Sequence, residues 1–267
     1  MGEQEGRSVC LVIGAGAGIG GSVGARFAAE GYHAVLCRRS DEAGLLRLVE
    51  GIRRNGHDAT GYLLDVAHDG AMEERIESVE RDIGPIEVVV YNIGAQIGNR
   101  SLDETPHRTF ELGWRLGTFG LFRVAKALFP RMVERGGGTV LVTSATAAVR
   151  GNAGQHSHAA AMGGRRLLCQ TLNAEFAAQG IHVVHVLVDG AVDAPDTLGR
   201  MLGKDAFEAL RAERGSRDAL LRPDRMAETY LHLARQHRSA WTHEIDLRAW
   251  TDVPWFNSNG IGRSVAL

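Results

Sequence analysis

"VIGAGAGIGG", residues Val12–Gly21, places glycines at 14, 16, 18 and 20 between an apolar run and the start of a helical pattern. The run before it, "SVCLVIG" from Ser8 to Gly14, is apolar without alternation after Ser8, as a strand covered on both faces must be. The residues after it, Ile19 to Glu30, read as a helix, and Gly31 follows where a left-handed residue closes a helix at no steric cost. With no Cβ in the way, such a turn is tight and lets an anion approach its backbone. The helix beyond offers free N–H groups and the positive end of its dipole. The stretch therefore predicts a pyrophosphate cradle, with Gly14, Gly16, Gly18, Ile19 and Gly20 against a dinucleotide.

Outward from this turn, strand and helix patterns alternate. "HAVLC" (His33 to Cys37), "TGYLLDV" (Thr60 to Val66), "IEVVVYN" (Ile86 to Asn92), "TVLVTSA" (Thr139 to Ala145), "IHVVHVLV" (Ile181 to Val188) and "WTHEIDL" (Trp241 to Leu247) read as further strands. Helices are expected over Phe110 to Glu134, ended by "RGGG", over Gln155 to Ala178, and over Asp224 to Gln236. The spacing predicts one doubly wound α/β domain of the Rossmann type over residues 1–267, with a seven-stranded parallel sheet and helices on both faces. Residues 194–222 are charged and helical. They follow the sixth strand, so they are expected to cover the carboxyl end of the sheet as a substrate lid. Leu198, Met201, Leu202 and Phe207 within them suit either an apolar substrate or ordinary core packing.

Composition narrows the classes. Apolar residues are 44% of the chain, enough for a full core, and a net charge of -2 offers no field for nucleic acid or anionic lipid. The three cysteines, Cys10, Cys37 and Cys169, are far apart with no CxxC, as in a reducing compartment. The polar, acidic start "MGEQEGRS" is unlike a secretory signal and no apolar run approaches a membrane span. A cytoplasmic protein acting on a small molecule, with no membrane or nucleic-acid partner, is expected.

The end of the second strand decides which dinucleotide is preferred. An acid there holds the ribose 2′-hydroxyl of NAD, and arginine accommodates the 2′-phosphate of NADP. The sequence is "CRRS", so Arg38 and Arg39 favour NADP, while Asp41 a little later keeps NAD possible.

With the glycine turn, "LLDV" at Leu63 to Val66 and "YNIG" at Tyr91 to Gly94 in place, the chain resembles the short-chain dehydrogenase/reductase family from about Val9 to Asp193. That family opens with Thr-Gly-x-x-x-Gly-x-Gly; Ile13 stands for the threonine, while Gly14, Gly18 and Gly20 match. The resemblance implies that Asp65 contacts the adenine with Val66 beside the ring, and that Asn92 and Gly94 continue the cofactor site. It also implies association through the long middle helices into a homodimer or homotetramer, with Trp114, Phe119, Phe122 and Leu168 available for such a surface.

The family's chemistry rests on Asn, Ser and a Tyr-x-x-x-Lys pair, and here the chain departs from it. Aligned on "GNAGQHSHAAAMGG" (Gly151 to Gly164), the tyrosine becomes His158, the lysine Met162, the serine Ala145 and the asparagine Gly117. Anchoring on Ser144 instead shifts the pair to Ser157 and Ala161, and either register loses Tyr and Lys. Ser157 beside two histidines is no nucleophile elbow, because residues one apart on a helix do not face each other. A metal site is not expected: His156 and His158 would need His182 or His185, which lie three apart on a strand and so face opposite ways. There remains a substituted proton donor. Tyrosine titrates near ~10 and needs a lysine to work at neutral pH, whereas histidine starts near ~6.5. His158 and Ser144 are the candidate catalytic residues of an NADP-linked oxidoreductase for a small carbonyl or alcohol. The alternatives are a redox-silent NADP-binding protein, and a lyase or isomerase on the same fold.

Overall fold

The computed structural model describes residues 7–94 and 99–257. Seven parallel strands form one sheet in the order β3-β2-β1-β4-β5-β6-β7: β1 Val9–Ile13, β2 His33–Arg38, β3 Ala59–Leu63, β4 Ile86–Tyr91, β5 Gly138–Ala145, β6 Ile181–Val188 and β7 Glu244–Leu247. Both faces of β1 are buried, as its unbroken apolar run requires. Val9, Leu11 and Ile13 join one core with α3 (Ala71–Asp82), α5 (Gly120–Glu134) and α6 (His156–Phe176). Cys10 and Val12 join the other with α1 (Ile19–Ala29), α2 (Glu42–Arg54) and α9 (Pro223–Ala234). The strand order reverses between β1 and β4, and in sheets of this kind the crevice beyond that reversal is where ligands bind.

One departure from the expected helices matters for the site. The stretch from Phe110 to Glu134 is not one α-helix: α4 (His107–Trp114) runs through a π turn, Arg115–Phe119, into α5. The cause is competition for carbonyls. Tyr91 Oη donates to Leu116 O at 2.5 Å and Arg165 Nε to Gly117 O at 2.6 Å, drawing both out of the α-helical ladder. Tyr91 reaches in because Gly120 has no side chain; a Cβ there would lie 2.1 Å from the hydroxyl.

The segment after β6 turns through Pro195–Gly199, α7 (Arg200–Leu202), α8 (Lys204–Arg214) and a 3-10 turn at Gly215–Arg217. Phe207 is buried within it and Met201 is exposed. Arg211 pairs with Asp193 at 2.9 Å, Arg214 pairs with Asp252, and Trp250 Nε1 donates to Arg217 O at 3.0 Å, tying the segment to the chain on both sides. No helix among the described residues is long and apolar enough to cross a membrane.

Candidate active site

The glycine turn is built by close backbone approach. Gly14 sits at φ +102°, and its N–H and that of Ala15 both donate to Cys37 O at 2.8 Å, locking the turn to the end of β2. Its carbonyl accepts from Asn92 Nδ2 at 2.9 Å, while a Cβ on Gly14 would lie 2.5 Å from Asn92 O. A Cβ on Gly20 would meet Gly14 O at 2.3 Å. No side chain caps the start of α1. A diphosphate suits this cradle: small residues where it must come close and donors where it carries charge. Gly94 is exposed just beyond Asn92.

Of the two arginines at the end of β2, Arg38 is the one turned inward. It is largely buried and pairs with Asp41 at 3.2 Å and Asp196 at 3.1 Å, while Arg39 is exposed. Asp41 accepts from Gly44 N at 3.0 Å, and that bond, with help from Arg38, holds its carboxyl below the usual range. Asp65 is half-buried in a tight turn, its Oδ1 accepting from Ala67 N at 3.0 Å. Val66 is buried in the core, and its carbonyl accepts from Arg123 at 3.0 Å.

The end of β5, the 3-10 turn Thr146–Ala148 and α6 form a small apolar cluster of Ala145, Ala147, Ala148, Ala161 and Met162. Ser144 is buried with its hydroxyl turned to Met162 Sδ at 3.8 Å. Ser157 is a helix anchor: its hydroxyl bonds to Thr109 O and Phe110 O of α4, in space left by Gly113. His158 is half-buried near the start of α6, one helical turn ahead of Met162 and so on the same face. The histidines of β6 are otherwise engaged. His185, fully buried, pairs with Glu244 at 2.9 Å, and His182 bonds to Thr242 O and stacks on Trp241. No group of three metal-ligating side chains exists among the described residues.

Sequence reading passed over Arg165. It lies on the face of α6 that carries His158 and Met162, and it is 1% exposed. Its guanidinium donates to Gly117 O (2.6 Å), Thr143 O (2.5 Å) and Ile93 O (2.8 Å), tying the π turn, β5 and the end of β4 together. Burial lowers its pKa without discharging an arginine. Its position every third or fourth residue along an otherwise small and apolar stripe was the available signal.

The family model for short chain dehydrogenase matches residues 8–197. The chain belongs to the short-chain dehydrogenase family. It is 31% identical over 242 residues to the short-chain reductase protein NovJ of Streptomyces niveus, covering 89% of this chain and 90% of NovJ. Among solved structures it resembles a short-chain dehydrogenase from Rhodopseudomonas palustris (TM-score 0.75, 28% identity, 90% of this chain and 98% of that one). It also resembles a variant of actinorhodin polyketide ketoreductase crystallised with NADPH (TM-score 0.79, 25% identity, 91% and 96% covered). This short-chain dehydrogenase therefore keeps the family's fold.

Proposed function

We propose that the protein is an NADP-linked oxidoreductase interconverting a small carbonyl compound and its alcohol, with His158 in place of the family's tyrosine. The glycine turn and Asn92 would hold the dinucleotide, with Asp65 and Val66 near its adenine. Arg38 would hold the 2′-phosphate, with Arg39 a solvent-side second. NADPH in the related ketoreductase supports that choice, and Asp41 beside Arg38 keeps NAD as the lesser partner. When bound, the nicotinamide supplies or accepts a hydride. His158 would give a proton to the substrate oxygen or take one from it, while Ala145, Ala161 and Met162 keep water away and Ser144 backs Met162. Residues 194–222 would close over the substrate.

The observation that carries the reading is His158, a titratable group on the same helix face as Met162 and beside the crevice end of the sheet. The second reading, a redox-silent NADP-binding protein, is favoured by the apolar cluster at Ala145 and Met162. Mixing the protein with NADPH and a panel of carbonyl compounds, while following the absorbance of reduced nicotinamide, separates the two. Turnover that falls in His158→Ala supports the first, and NADPH binding without turnover on any member supports the second. Calorimetry with NADPH and NADH on wild type and Arg38→Ala tests the cofactor. An NADPH-over-NADH preference that falls in Arg38→Ala supports Arg38 as the 2′-phosphate ligand.

A homodimer or homotetramer is part of the proposal. Trp114, Phe119 and Phe122 stack in a row, centroids 5.2 and 6.3 Å apart, and Trp114 and Phe122 remain close to half exposed on α4 and α5. Leu168 packs on the core, and Leu167 beside it is the exposed one.

A further inference from the structure

The position at the glycine turn that suits an anion is taken by the protein's own carboxylate. Asp196, just after Pro195 in the strap that follows β6, accepts from Ala17 N at 2.8 Å and pairs with Arg38 at 3.1 Å. A backbone N–H of the turn and a guanidinium at the end of β2 are the two kinds of group that a phosphate on the adenosine ribose needs. The strap lies firmly on the glycines. A Cβ on Gly16 would be 3.2 Å from Asp196 Oδ2, and one on Gly18 would be 2.8 Å from Ala194 Cβ. Thr197 N and Gly199 N both return to Ala194 O, at 3.2 and 3.1 Å, which fixes the loop that presents Asp196.

The charges in this cluster already balance. Arg38 faces Asp41 and Asp196, and Arg200 stands 3.9 Å from each of the same two carboxylates. A phosphate dianion delivered to Arg38 with Asp196 in place would meet two like charges. A ribose 2′-hydroxyl would bring no charge and could donate to either carboxylate.

We propose that Asp196 is a cofactor-specificity residue: its carboxylate competes with the 2′-phosphate for Arg38 and the Ala17 N–H. NADP(H) then binds fully only when the strap at residues 194–199 releases Asp196, whereas NAD(H) carries no such penalty. The proposal rests on Arg38 as the 2′-phosphate ligand, and the experiment keeps the two apart. Calorimetry would use adenosine 2′,5′-bisphosphate and 5′-AMP on wild type, Asp196→Ala, Asp196→Asn, Arg38→Ala and the Asp196→Ala/Arg38→Ala pair. The bisphosphate is expected to bind Asp196→Ala about tenfold to a hundredfold more tightly than wild type, the size of one charge-assisted contact. Asp196→Asn, which keeps the shape and loses the charge, should move the same way, and 5′-AMP should change less than about threefold. The tightening should vanish in the pair. An unchanged or weaker bisphosphate in both Asp196 variants, with affinity still lost in Arg38→Ala, overturns the proposal and leaves the Arg38 reading standing. Arg38→Ala without effect in either background overturns the Arg38 reading and the proposal with it.

Discussion

Replacing Arg165 with methionine removes a buried cation while keeping most of its volume. Three carbonyl oxygens, those of Gly117, Thr143 and Ile93, lose donors at 2.6, 2.5 and 2.8 Å. A buried acceptor left without a partner costs about 1–3 kcal/mol; the Gly117 bond is buried and the other two are partly buried, so roughly 3–9 kcal/mol is the ceiling for the three together. Against this stands relief of the guanidinium's own desolvation, which is several kcal/mol for an ion without a counter-charge. The groups that act on its charge are Tyr91, Cys169 and Tyr230, none of them a carboxylate, so that relief is substantial. We set the balance at about 3 kcal/mol of destabilisation, because the carbonyls belong to backbone that cannot move away. For a domain of this size the apparent Tm should drop by about 6–12 °C. Urea and thermal unfolding of the cofactor-free protein, followed by circular dichroism, measures it. Arg165→Lys should be nearly as damaging, since one ammonium cannot reach three separate elements. A midpoint for Arg165→Met equal to or above wild type would refute the reasoning and mean that desolvation outweighs the three bonds.

His185 makes stability pH-dependent. Burial lowers its pKa from 6.5 to about 4, despite Glu244, so the folded protein binds fewer protons than the unfolded chain between those values. Its contribution is whole above pH 6.5 and is lost as the pH falls toward 4, about 3 kcal/mol in all. Denaturant titrations from pH 7 to 4 should show a flatter profile for His185→Gln; parallel profiles would contradict this. If the protein turns over a carbonyl substrate, His158→Ala should slow it about 10²–10⁴-fold with NADPH affinity unchanged, and His156→Ala should do far less. Unchanged turnover in His158→Ala would return the proton donor to water or another group. Phe122→Glu should shift the mass seen by light scattering at micromolar concentration toward the monomer, and a wild-type monomer would remove the oligomer from the proposal.

Much of the architecture was legible because it is written in local patterns. The buried strand Val9–Ile13, the glycine turn and the helix after it follow from which residues lack a Cβ and which are apolar within one short window. The absence of any Tyr-x-x-x-Lys spacing is equally local, since it is read directly along the chain. The helices Glu42–Arg54 and Ala71–Asp82 carry more charge than α5 and α6, and the strand pattern around them was the clearer signal.

What only the tertiary structure decided are contacts between residues far apart in the chain. Ser157, read from sequence beside two histidines, anchors α6 to carbonyls of α4. The expected single helix at Phe110–Glu134 passes through a π turn where Tyr91 and Arg165 take its carbonyls from outside. Asp196 meets Ala17 across 179 positions. Periodicity reports which face of an element is buried, but not which distant donor or acceptor will stand opposite a given backbone group. That pairing is chosen when the sheet is assembled, by whichever group can satisfy a buried polar atom at hydrogen-bond distance. The sequence by itself therefore determined the strand order's building blocks and the cradle. The partners of Arg165, Arg38 and Asp196, and with them the electrostatics of the site, waited on the fold.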